Sequence, residues 1–323
     1  MTSAHEPAMQ RRLRRLELTI TRRLDGLLTG QHLGLLPGSG SELAGGREYS
    51  PGDDVRRMDW AVTARTTIPH VRDTVADREL ETWVLVDATA SMDFGTADWE
   101  KRDLAAAAVA AVGFLTMGGG NRLGAVILSG GGRVDRTPAR SGRPHLFGLL
   151  RKLLEAPRQA PAALGRRDGP HDWHAGEAPT SLVAGLTDLQ RSARRRGLTV
   201  VVSDFLDGVS ETEATWEAPL RRLKARHHVL AVQVSDPREL ELPDVGLVTL
   251  VDPETGRKRE ISTASPRLRR RFAAAAAAQD RVIATGLRRA GVAHLRLRTD
   301  RDWVADIARH VLAQRRLTRA GAR

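Results

Sequence analysis

Where the apolar run "VLVDATASMD" (84–93) ends, three oxygen-bearing side chains stand at alternate positions: Asp87, Thr89 and Ser91. A second apolar run, "LTVVVSDF", stops in the same way at Asp204. Thr180 heads "TSLVAGL", which has helical spacing, and the adjacent Ser181 offers the same hydroxyl. Two carboxylates and three hydroxyls are hard oxygen donors. Converging, they suit Mg²⁺ (or Mn²⁺), which takes octahedral oxygen coordination and keeps several waters. Hydroxyls ligating directly, with the aspartates acting partly through water, would leave the ion electrophilic. An acidic side chain from a protein partner would then complete its shell. The pattern Asp-x-Thr-x-Ser is weak taken alone, since a strand-end aspartate more often caps the following helix.

For these residues to meet, their strands must end on one rim. Continuous apolar strands ("TWVLVD", "RLGAVIL", "LTVVVSDF", "HVLAVQV", "VAHLRLRT") alternate with helical segments, the longest being Ala-rich from about Trp99 to Met117 and another from Pro266 to Ala290. That alternation predicts an α/β fold with a mostly parallel sheet and helices on both faces, which binds ligands just outside the carboxyl ends of its strands. "GRVDRTPA" reads as an edge strand, and "VGLVTLVDPETGRKREIS" as a hairpin insertion near 246–262. Thr299 or Asp300 is the expected N-cap of the last helix.

Upstream, Leu13, Leu16, Ile20, Leu24 and Leu27 recur at helical spacing on an arginine-rich segment, so an amphipathic helix opens the chain. Short extended pieces are expected next, around a Pro51-Gly52 turn. The same region gathers Asp53, Asp54, Arg56, Asp59 and Arg65 around Trp60. It reads as an ion-paired signature or interaction segment that docks the N-terminal region on the sheet, in preference to a ligand set. The expected organisation is residues 1–80 as helix and extended appendage, 81–317 as the α/β domain, and 318–323 as a basic tail.

Composition narrows the function. The 323 residues are 41% hydrophobic and 28% charged, the balance of a globular protein. Cysteine is absent, which removes disulfides and thiol chemistry. No signal peptide or membrane span is legible, so a cytoplasmic protein is expected. The formal charge of +12 sits in residues 1–30 (+3), 257–271 (+6) and 309–323 (+5), leaving the body near −2. With 4% aromatics there is little on which to stack bases, so nucleic-acid binding is the weaker alternative. A Mg²⁺-dependent hydrolase or phosphatase-like enzyme is another. However, a haloacid-dehalogenase-like site needs an acid where Thr89 stands, and no Ser-His-Asp elbow, Walker A loop or HExxH occurs. The chain is read as non-enzymatic.

Asp87-x-Thr89-x-Ser91, a Thr on a second loop and Asp204 on a third resemble the metal-ion-dependent adhesion site of von Willebrand factor A domains. The first hydroxyl is Thr89 where that motif has Ser. "REYSPGDDVRRMDWAVTAR" resembles the signature of domain-of-unknown-function family 58, in its soluble actinobacterial form, and the likeness runs from Leu33 to the last helix. The resemblance implies a von Willebrand factor A-like, Rossmann-like sheet and a metal site at Asp87, Thr89, Ser91, Thr180 and Asp204. It also implies a partner among MoxR-type AAA+ ATPases, with the protein as adaptor or co-chaperone for client proteins.

Overall fold

The computed structural model describes residues 5–28, 44–50, 58, 60–73, 80–117, 120–130, 133–158, 181–251 and 258–321. In chain order they form α1 (His5–Leu28), β1 (Ala44–Glu48), α2 (Trp60–Thr66), β2 (His70–Asp73), β3 (Glu81–Ala88), α3 (Lys101–Thr116), β4 (Arg122–Ser129), β5 (Arg133–Arg140), α4 (Arg143–Leu154), α5 (Leu182–Ser192), β6 (Leu198–Ser203), α6 (Glu217–Lys224), β7 (His228–Ser235), α7 (Pro237–Leu240), β8 (Leu247–Val251), β9 (Lys258–Ser262), α8 (Pro266–Arg289), β10 (Ala293–Arg298) and α9 (Trp303–Gly321). A single 3-10 turn, Ala90–Asp93, separates β3 from α3.

Six strands make the central sheet, in the order β10-β7-β6-β3-β4-β5. All are parallel except β5, which runs antiparallel to β4 at the edge. Successive side chains of a strand point to opposite faces, and here both faces are apolar. On β3, Val84 and Val86 enter one core with Leu104, Val109, Leu149 and Ile307. Trp83 and Leu85 enter the other with Leu186, Leu220, Ile283 and Leu287. The polar β5 carries Pro138, tolerated because this strand is an edge with a break in register near that residue. The expected mixed α/β architecture with helices on both faces is what the chain adopts.

The amphipathic α1 buries Leu13, Leu16, Ile20 and Leu24 in the same core as α3 and α9. Arg23 forms a two-pronged ion pair with Asp302 at 3.1 and 2.5 Å, fastening α1 to the start of α9. The strands β1 and β2 pair antiparallel, and β8 and β9 form an antiparallel ladder over the hairpin segment.

Two local expectations differ from what is found. Trp60–Thr66 is a helix where extended chain was expected: its β-branched residues look strand-like, but their hydroxyls bond locally. Thr66 Oγ1 donates to Val62 O at 3.0 Å, and Thr63 Oγ1 accepts from His70 N at 3.0 Å. The N-cap of α9 is Asp302, accepting from Val304 N and Ala305 N at 3.2 and 3.3 Å. Thr299 and Asp300 are engaged elsewhere, by Asp236 and Arg298.

Strand order fixes where a site belongs. From β3 the chain moves outward to β4 and β5; from β6 it moves the opposite way, to β7 and β10. The switch lies between β3 and β6, and the crevice outside their carboxyl ends is where such sheets take ligands.

Candidate metal centre

Asp87 and Ser203 are neighbours because β3 and β6 pair in register up to Val86 and Val202, one residue earlier on each strand. The Ser203 hydroxyl donates to Asp87 Oδ2 at 2.7 Å. On the other oxygen, Asp87 Oδ1 accepts from Thr89 N at 3.0 Å and Thr89 Oγ1 at 2.7 Å, a side chain-to-backbone turn that folds the loop back over the strand end. Thr89 Oγ1 lies 3.3 Å from Ser91 Oγ. Ser91 in turn faces Asp204 and helps to hold that carboxyl below its ordinary value. Asp87, Thr89, Ser91 and Asp204 therefore come together as the sequence indicated.

Thr180 lies outside the described residues. Its neighbour Ser181 caps α5, accepting from Val183 N at 3.1 Å, and Asp207 accepts from Leu182 N at 2.7 Å. Of the upstream signature, Asp53, Asp54, Arg56 and Asp59 lie outside the described residues, while Trp60 and Arg65 sit exposed on α2.

The loop after β6 is held firmly. Asp204 Oδ1 accepts from Leu206 N at 3.1 Å, and Phe205 N donates to Ser203 Oγ at 3.0 Å. Phe205 adopts φ 60°, a left-handed conformation that side chains of this bulk rarely take. Its fully buried ring packs edge-on against Trp216, with centroids 5.3 Å apart, and Trp216 Nε1 donates to Phe205 O at 3.3 Å. Packing thus holds a strained backbone beside the site, where such strain is commonly found.

Two residues of this cluster were invisible to motif reasoning. Lys101 and Arg102 open α3, and both are buried. Lys101 Nζ lies 2.9 Å from Asp204 Oδ2 and also contacts Glu239 Oε1. Arg102 lies 2.7 Å from Asp93 Oδ1 and donates to Ala88 O at 3.1 Å, bracing the loop that carries Thr89 and Ser91. A helix N-terminus carries partial positive charge, so two cations in a first turn need strong anionic partners. That mismatch was the available signal. Glu239 is fixed through Asp236: Asp236 N donates to Glu239 Oε2 at 3.0 Å. Asp236 itself accepts from Thr96 Oγ1 at 2.6 Å and Thr299 Oγ1 at 2.7 Å. One polar network thus joins the loops after β3, β6, β7 and β10. Beside it, beyond β6, β7 and β10, opens a cleft of about 260 Å³ lined by Asp204, Glu239, Gln233, Asp280, Arg296 and Arg298.

The electrostatics are uneven. Burial, then the charge of Asp204, pushes Asp87 up to about 6 despite the hydrogen bonds from Ser203 and Thr89. Burial acts on Asp204 too, but the Lys101 ammonium overrides it and holds that carboxyl below its ordinary value. Glu239 is raised, by burial first, against the pull of Lys101. Lys101 serves Asp204 and Glu239, while Asp87 is held by hydrogen bonds from Thr89 and Ser203. Among the described residues no three carboxylate or imidazole groups converge at ligating distance, so a metal here must rely on hydroxyls. Thr89 and Ser91 fit that role: adjacent oxygens of an octahedral shell with bonds of 2.0–2.1 Å lie roughly 3.0 Å apart, close to the 3.3 Å observed. The residues present suit a hard divalent cation.

The chain is 53% identical over 316 residues to an uncharacterized protein of Mycobacterium bovis, Mb1516, covering 98% of this chain and 93% of that one. Among solved structures it is similar to an aerotolerance-related membrane protein from Bacteroides fragilis (13% identity, TM-score 0.45, 72% of this chain and 99% of that one). It is also similar to an uncharacterized membrane spanning protein from Vibrio fischeri (14% identity, TM-score 0.25, 73% and 98%). The cytoplasmic location expected from the sequence is not upheld: both of these neighbours are described as membrane proteins, a property stated of them and not of this chain. The described residues contain no helix long and apolar enough to cross a membrane, which by itself assigns no compartment. The family signature read in residues 47–65 has its counterpart in a family model matching residues 45–282, and the chain belongs to that family, the protein of unknown function DUF58.

Proposed function

We propose that the protein is a non-enzymatic, metal-dependent interaction module. In this reading Mg²⁺ or Mn²⁺ binds at Thr89 and Ser91, with Asp87 and Asp204 supporting it and Thr180 as the further candidate ligand from the sequence. The observation that carries the reading is the Thr89 and Ser91 hydroxyls 3.3 Å apart, with Thr89 bonded to the buried Asp87, whose carboxyl is raised to about 6. Neutral hydroxyl ligands leave a bound cation with much of its charge, which favours an acidic side chain from a partner as an additional ligand.

Both oxygens of Asp87 already accept hydrogen bonds from Thr89 and Ser203, which suits a structural carboxylate better than a nucleophile. The von Willebrand factor A-like resemblance of the motif supports the same role. The resemblance to domain-of-unknown-function family 58 suggests the partner: a MoxR-type AAA+ ATPase, with this chain as adaptor or co-chaperone for client proteins.

The test is capture of a MoxR-type AAA+ ATPase on the immobilised full chain, at fixed salt, in about 5 mM Mg²⁺ or in EDTA. Association lost in EDTA and restored by Mg²⁺ is expected. Association indifferent to EDTA, with circular dichroism unchanged, would remove the metal bridge from the account.

A further inference from the structure

The Lys101 ammonium is the cation that contacts Asp204 and Glu239 among the described residues. It is fully buried, and its position is set from both sides. Asp204 Oδ2 lies at 2.9 Å, while Glu239 is anchored by the capping box that Asp236 makes at the start of α7. Asp236 is buried and tied to Thr96 and Thr299. Lys101 cannot swing away without breaking its contacts to both Asp204 and Glu239. Asp204 has Leu206 N on Oδ1 and Lys101 on Oδ2, so its charge is already largely matched before any metal arrives.

We infer that Lys101 is a positioning residue that restrains Asp204 from acting as a full anionic ligand, lowering the affinity of the Thr89–Ser91 site for a divalent cation and leaving the bound cation rich in positive charge toward an incoming carboxylate. The inference rests on the metal reading above and goes beyond it. The affinity of the site becomes a property of a helix residue outside the ligand motif. Like charges separated by a few ångströms in a partly buried site repel strongly, and an ammonium shared with a supporting carboxylate weakens that carboxylate toward metal. Removing Lys101 therefore improves metal binding, whereas removing Glu239 commits Lys101 wholly to Asp204 and worsens it.

Mn²⁺ is titrated calorimetrically into the full chain, into Lys101→Met and into Glu239→Gln, with metal-induced shifts in thermal unfolding as a second readout. Lys101→Met is expected to bind Mn²⁺ about tenfold more tightly than wild type, and Glu239→Gln several-fold more weakly (about threefold or more). Opposite signs are the signature, because loss of structure alone weakens binding in both variants. If Lys101→Met does not fold, Glu239→Gln carries the test: affinity equal to or above wild type overturns the inference. Wild-type binding with Lys101→Met unchanged or weaker overturns the role of Lys101 while leaving the metal site standing. Absence of Mn²⁺ binding in all three proteins, by heat and by thermal shift, removes the metal reading and this inference with it.

Discussion

Lys101 Nζ lies 2.9 Å from Asp204 Oδ2, both groups out of solvent, joining the first turn of α3 to the carboxyl end of β6. This contact ties the loop bearing the hydroxyl motif to the loop bearing the second aspartate. A buried ion pair is weak evidence for stability, because desolvation offsets much of its attraction. Breaking one by deleting a single partner leaves an unmatched buried charge.

Lys101→Met should therefore lower metal-free stability by about 3–5 kcal/mol, read from the midpoint of urea unfolding. The double variant Lys101→Met/Glu239→Gln, which removes one charge of each sign, should recover part of that loss. Equal damage in the single and double variants would show that packing, not charge, fixes this corner.

The docking of α1 gives a second test. The Arg23–Asp302 pair is half exposed, so Arg23→Ala should cost no more than about 1 kcal/mol. Leu24→Ala, at a fully buried position in the main core, should cost about 2–5 kcal/mol. Urea unfolding of both variants checks this. A larger loss from Arg23 than from Leu24 would mean that the ion pair, and not the core, holds the helix.

Phe205 is held at φ 60° by the Trp216 contact. Phe205→Ala should destabilise by about 3–5 kcal/mol in equilibrium unfolding, from lost burial and the cavity left beside Trp216. It should also loosen the Asp204 loop, visible as faster amide exchange at Leu206, whose N–H that carboxylate accepts.

His294 governs a pH effect. Its Nε2 donates to Gln233 Oε1 at 2.9 Å. Burial first, then the nearby Arg296, pushes the imidazole down to about 4. A base whose folded value lies below its unfolded one favours the neutral form in the folded state. Its stabilising contribution is present above the ordinary imidazole value near 6.5 and is lost as pH falls from there through about 4. His294→Gln should flatten the stability profile across that window, measured as thermal midpoint against pH. An unchanged slope would assign the acid sensitivity to other groups.

The sheet was legible because its strands are continuous apolar runs, and Asp87, Thr89, Ser91 and Asp204 were legible because they punctuate those runs. The switch between β3 and β6 brings them together, as the order of strands and helices suggested. Lys101 and Arg102 were not legible. In sequence they look like solvated residues at the head of an Ala-rich helix, and only three-dimensional proximity reveals Asp204, Glu239 and Asp93 as their partners. Asp236 and Glu239 were hidden likewise, since a capping box reads the same whether it faces solvent or a buried ammonium. The helix α2 was missed because threonines and valine suggest extended chain when their local hydroxyl bonds are unknown.

The central claim is a divalent cation at the hydroxyl pair supported by Asp87, and calorimetric titration of Mg²⁺ and Mn²⁺ into wild type and Asp87→Ala tests it most directly. The account predicts saturable one-site binding to wild type, and none to Asp87→Ala, whose circular dichroism remains that of the folded protein. Equal affinity in the two proteins would contradict it and place the ion elsewhere.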